Sequence, residues 1–155
     1  MGRLTERLDV ARRALSTLTE LPLSGEPTTI ERDAAIQRFE YSFEAVWKAA
    51  QQFLREHEGL DAGSPKGTVR ACLQVGAISE ADARIALQMV DDRNLTVHTY
   101  NEPLARKIFS RLAAHAGTMT RWLEAIAGRT EDHSSGRGPS PEGESGALPS
   151  GDRRL

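Results

Sequence analysis

The sequence predicts an all-α fold, an up-and-down bundle of about five helices that ends in a disordered tail. Apolar residues recur at steps of three and four through most of the first 127 positions. No stretch alternates with the period of a strand, and no hairpin turn signal occurs. Proline, glycine and capping residues fall between the periodic segments, where helices should start and stop.

Helix one is expected over 3–20, where Leu4, Leu8, Ala11, Leu15 and Leu18 line one face and Arg and Glu cover the other. Pro22, Gly25 and Pro27 then break the pattern, and Thr28 or Thr29 can cap the next helix with Glu31 or Arg32 in its first turn. Helix two runs over about 30–57 and carries three of the four phenylalanines, so it should be the central core helix. An aromatic stripe at helical spacing is usually packing, and base-stacking platforms usually lie on strands or loops. Gly59 and Gly63 close it. Ser64-Pro65 opens helix three with an N-cap and a proline at the first helical position, although Gly67 weakens that helix by up to ~1 kcal/mol relative to alanine. Ser79 and Asp82 form an acidic variant of the capping box for helix four, which continues through Ala83, Ala86, Met89 and Val90. Asn101 and Pro103 mark the start of helix five, whose stripe is Leu104, Ile108, Leu112, Ala116, Met119, Leu123 and Ile126. After Gly128 about half of the residues are Gly, Ser or Pro and aromatics vanish. Such a segment cannot bury enough apolar surface to offset its chain entropy. Residues 1–127 are therefore read as the bundle and 128–155 as the tail.

A chain of 155 residues with 27% charged residues has the balance of one globular domain, and its net charge of -2 exerts no strong pull on nucleic acid or anionic membrane. The one cysteine, Cys72, sits on an apolar pattern and reads as a small core residue. No uninterrupted apolar run resembles a signal peptide or spans a bilayer, so a cytoplasmic location without membrane contact is expected. No metal and no cofactor are expected.

Chemistry concentrates in Asp92-Arg93-Asn94-Leu95-Thr96-Val97-His98-Thr99-Tyr100. If helix four ran unbroken to Tyr100, Ala86, Met89, Val90, Arg93, Val97 and Tyr100 would share one face. Arg93 would then need a partner: an acid such as Asp82 or Asp92, a second subunit, or an anionic ligand. His98 lies five residues on, ~140° away on a regular helix, whereas Asn94 and His98 share a face. A site using both Arg93 and His98 thus requires a helix end near Val97 or two copies of the chain. An arginine can hold a phosphate, a histidine can move a proton near neutral pH, and an amide can orient either. RNA cleavage needs no more, because the substrate's 2'-hydroxyl is the nucleophile. The spacing alone is weak evidence in a chain with 4 histidines and many arginines.

The longer context is more specific. That segment, together with Arg38-Phe39-Glu40-Tyr41-Ser42-Phe43-Glu44-Ala45-Val46-Trp47-Lys48 and Ser64-Pro65-Lys66, resembles the nucleotidyltransferase substrate-binding family, a branch of the HEPN superfamily. The similarity covers roughly residues 4–127; Gly67 departs from the pattern, and the tail lies outside it. The resemblance implies a homodimeric helical bundle whose partner is a minimal nucleotidyltransferase. Relatives of the HepT type are ribonuclease toxins with an active segment of arginine, four residues, histidine, one residue and tyrosine. Carried over, Arg93 and His98 would be catalytic, Asn94 site-orienting, and Tyr100 the residue to which the antitoxin attaches AMP. The leading expectation is a metal-independent endoribonuclease toxin acting on RNA. The alternatives are a noncatalytic nucleotide- or substrate-binding subunit of a two-component nucleotidyltransferase, and a dimerisation scaffold.

Overall fold

A computed structural model describes residues 2–135, with side chains through Glu131, and consists of helices joined by short links. These are α1 (Arg3–Thr19), α2 (Thr29–Phe53), α3 (Pro65–Gln74), α4 (Glu80–His98), α5 (Glu102–Phe109) and α6 (Leu112–Ser135), with a π-helical turn over Leu54–Glu58 extending α2. No helix among the described residues is long and apolar enough to cross a membrane.

The boundaries follow local chemistry. Thr28 caps α2 in a reciprocal box, its hydroxyl accepting from the Glu31 amide at 3.1 Å while Glu31 accepts from the Thr28 amide at 2.8 Å. Ser64, Ser79 and Asn101 cap α3, α4 and α5 through their side chains. The Gly67 amide donates to Ser64 Oγ at 3.0 Å, so the glycine that weakens α3 also takes part in its cap. At the π-helical turn the chain reverses through Gly59, whose φ of 65 is the left-handed conformation that glycine adopts without a Cβ penalty.

α2 is the central helix, packed against α1, α3, α5 and α6, while α4 lies on α3 and α6. Phe39, Phe43 and Phe53 of α2 are fully buried in one core with Trp122, Met119 and Ile126 of α6. Cys72 is buried too, and burial pushes its thiol up to about 11, as a core residue requires.

Two features differ from the sequence expectation. The fifth helix is two: Ser110 ends α5, its hydroxyl donating to the Lys107 carbonyl at 2.6 Å, and the Arg111 amide turns back to Ile108 at 2.9 Å before α6 begins. The apolar stripe keeps its phase across this break, so periodicity alone reads one helix. At its far end α6 continues past Gly128 to Ser135; the rest of the expected tail lies outside the described residues.

Candidate functional site

One face of α4 is buried, through Asp82, Ala83, Ala86, Met89, Val90 and Asp92, and beyond Asp92 no residue of the helix is buried. Its last two turns carry Arg93, Asn94 and His98, and the helix ends only at Thr99, which is extended. Tyr100 follows in the link to α5. Val97 and Tyr100 are not on a buried stripe: they are 60% and 52% exposed, and Leu95 is 43% exposed.

The arginine finds an acid, but neither of the two expected. Arg93 Nη1 donates to Glu44 Oε2 at 3.1 Å, across from α2. One residue is ~100° of helix, so Arg93 faces α2 while Asp92 faces α6. Glu44 also accepts from Trp47 Nε1 at 3.0 Å and pairs with Lys48 at 3.2 Å. Partial burial works to raise the Glu44 carboxyl, but the hydrogen bonds from Trp47 and Lys48 and the charges of Arg93 and Lys48 outweigh it and hold it below the usual range. One turn away, Thr96 Oγ1 donates to Glu40 Oε2 at 2.9 Å. Glu40 and Glu44, four apart on α2, thus hold the polar edge of α4. The third sequence block joins them: Lys66 at the start of α3 pairs with Asp91 at 2.9 Å.

Asp92 is wholly buried in a cluster that sequence reasoning missed. Arg111 donates to both of its oxygens at 2.9 and 2.6 Å, His115 Nε2 meets Oδ2 at 2.7 Å, and Gln88 donates at 3.1 Å. Burial alone would raise this carboxyl; hydrogen bonds from His115, Arg111 and Gln88 outweigh it and bring it to about 2. The His115 ring stacks on Phe39 at 5.3 Å. Asp82 makes a second tie to α6, accepting from Thr118 at 2.9 Å and from Arg121 twice at 2.9 Å. The only hint in the sequence was Arg111 and His115 at i and i+4; nothing local connects them to Asp92.

Asn94 and His98 are exposed, and among the described residues neither side chain makes a hydrogen bond. No hydrogen bond or ion pair joins Arg93 to His98 there. The helix stays regular between them, so one chain points them ~140° apart. Clefts of about 470 Å³ between α1 and α6 and about 670 Å³ between the α1–α2 link and α5 contain none of the four predicted site residues. Among the described residues no group of three or more His, Cys, Asp or Glu is placed to hold a metal ion.

Tyr100 is the exception to this openness: its hydroxyl donates to Asp33 Oδ1 in the second turn of α2. Burial of the phenol, the hydrogen bond and the Asp33 charge together raise its pKa above the ordinary value, against a smaller opposing effect of Arg32.

The family model described as nucleotidyltransferase substrate binding protein like matches residues 6–127. The chain belongs to this family. Among curated proteins none matches it. A Thermus thermophilus protein of known structure is 58% identical, the alignment covering 75% of this chain and 98% of that one at a TM-score of 0.72. The tri-AMPylated Shewanella oneidensis HEPN toxin, solved in complex with MNT antitoxin, is 18% identical over 83% of this chain and 99% of its own, with a TM-score of 0.69. A mutant of the toxin-antitoxin MntA-HpeT is 17% identical over 81% and 97%, with a TM-score of 0.66. At such identities the likeness to those toxins is one of fold, and this family member shares their helical fold.

Proposed function

We propose that two copies of this chain form a metal-independent endoribonuclease toxin, silenced when a minimal nucleotidyltransferase attaches AMP to Tyr100. One observation carries the dimer. Arg93 and His98 diverge on a single regular helix, yet the apolar Leu95 and Val97 beside them are left exposed at 43% and 60%. Pairing the α4 ends of two protomers covers those side chains and brings the arginine of one toward the histidine of the other, making a cleft that one chain lacks.

Within that cleft Arg93, anchored through Nη1 by Glu44, turns its remaining guanidinium edge to the scissile phosphate and offsets charge that builds on it. His98 takes the proton of the 2'-hydroxyl or gives one to the departing 5'-oxygen. Asn94, one turn from His98 on the same face, orients the ring or the substrate. The products are a cyclic phosphate and a free 5'-hydroxyl. AMP on Tyr100, two residues from His98, adds bulk and negative charge that exclude RNA. Partnership with an MNT enzyme draws support from the toxin complexes that share the fold.

Arg93→Ala and His98→Ala are each expected to lower RNA cleavage by about 10²-fold or more while the protein stays a folded dimer. A wild-type dimer that cleaves no RNA removes the enzyme reading. In that case nucleotide binding lost in Arg93→Ala is the result expected of a noncatalytic substrate-binding subunit, the reading that the family's description favours.

A further inference from the structure

Tyr100 and Asp33 are 67 residues apart in sequence, yet the phenol hydroxyl donates directly to the carboxylate. The Tyr100 phenol is raised above its ordinary value, so at neutral pH it is protonated and a poor nucleophile. A hydroxyl that attacks a phosphorus must lose its proton as the bond forms, and a positioned carboxylate is a common acceptor. We propose that Asp33 is the general base of Tyr100 adenylylation, supplied by the protein being modified and not by the enzyme that modifies it.

The proposal rests on the adenylylation half of the reading above. The Tyr100 oxygen forms a bond to the α-phosphorus of a nucleoside triphosphate held by the partner enzyme. The bond from that phosphorus to the β-phosphate bridging oxygen breaks, and pyrophosphate leaves. The phenol proton passes to Asp33 Oδ1 and from there to water.

The surroundings suit the task. The Asp33 side chain is 46% exposed and Tyr100 is 52% exposed, so a second protein can approach the phenol and a proton can leave. Charged groups about Asp33 come from α2 and α5. Arg32, 9% exposed, lies with Nε 3.8 Å from Asp33 Oδ1 and Nη1 3.9 Å from Glu102 Oε1. Glu102 is itself taken by Arg106 at 2.8 Å, and Glu31 by the Thr28 cap. The Arg32 Nε is buried without a hydrogen-bond partner among the described residues, and the guanidinium is close enough to the phenol to favour its ionised form. It is therefore the cation placed to turn toward the new phosphodiester once Asp33 has taken the proton.

The test is a time course of intact mass for the full chain mixed with its nucleotidyltransferase, magnesium and ATP, from pH 7 to about 10. Asp33→Asn keeps an oxygen acceptor for the phenol but lacks the basicity. Its adenylylation rate is expected to fall by about 10²-fold or more at pH 7, with little change in the KM for ATP. The deficit should narrow as the pH approaches the phenol's own ionisation, and Asp33→Glu should recover part of the rate. Circular dichroism confirms that the variants are folded. Modification of Asp33→Asn at the wild-type rate, or a deficit constant with pH, overturns the proposal. A wild-type chain that acquires no AMP removes the adenylylation reading itself and the role of Asp33 with it.

Discussion

Replacing Asp92 by asparagine is expected to destabilise the bundle by about 2–3 kcal/mol at pH 7, and that difference should shrink on acidification. Asparagine mimics the protonated carboxyl, so the magnitude follows from the titration of the wild-type group. Its carboxyl sits at about 2 against an ordinary 3.8; at ~1.4 kcal/mol per pH unit, that is about 2–3 kcal/mol. Because the folded-state value lies below the unfolded one, the contribution is complete above pH ~4 and is lost as the pH falls through 2. Alanine should do worse, by about 3–5 kcal/mol, since it leaves the charge of Arg111 and the polar atoms of buried His115 without their acceptor. The assay is urea denaturation followed by circular dichroism at several pH values, supported by a melting temperature about 10 °C lower for Asp92→Asn at neutral pH. Asp92 also ties α4 to α6 next to Arg93, so loosening it should reduce RNA cleavage. An asparagine variant within about 0.5 kcal/mol of wild type at pH 7, or one losing stability with acid in parallel with wild type, refutes the reasoning.

Two further outcomes test the surface. Val97→Asp, at a position 60% exposed, should change the stability of the single chain by no more than about 0.5 kcal/mol, yet convert the proposed dimer to monomer in sedimentation equilibrium; a variant that stays dimeric removes α4 from the interface. Glu44→Gln takes the anchoring charge from Arg93 and is expected to lower RNA cleavage by about 10-fold or more through misplacement of the guanidinium. Since Glu44 is 35% exposed, its melting temperature should change little; unaltered cleavage would mean that Arg93 needs no anchor.

Much of this was legible in the residues themselves. Capping at Thr28, Ser64, Ser79 and Asn101 depends on a side chain reaching an amide three residues away, so sequence alone places those helix starts. The split of helix five was not legible, because Leu104, Ile108 and Leu112 keep step across Ser110 and Arg111. Arg93 pairs with an acid as expected, but with neither Asp82 nor Asp92, for a related reason. Asp82 and Asp92 are near it along the helix, but a carboxylate one residue away points elsewhere, and Glu44 is 49 residues distant.

What the sequence by itself determined is local: which segments are helical, where they begin, which faces are apolar, and that Arg93 and His98 cannot meet on one regular helix. Each follows from backbone geometry within a few residues. Only the tertiary structure decided that Glu44 takes Arg93, that Arg111 and His115 close on Asp92, and that Asp33 receives the Tyr100 hydroxyl. Those pairs depend on how helices are rotated against one another, and rotation is set by the packing of the whole core around Phe39, Phe43 and Trp122. No local pattern records it.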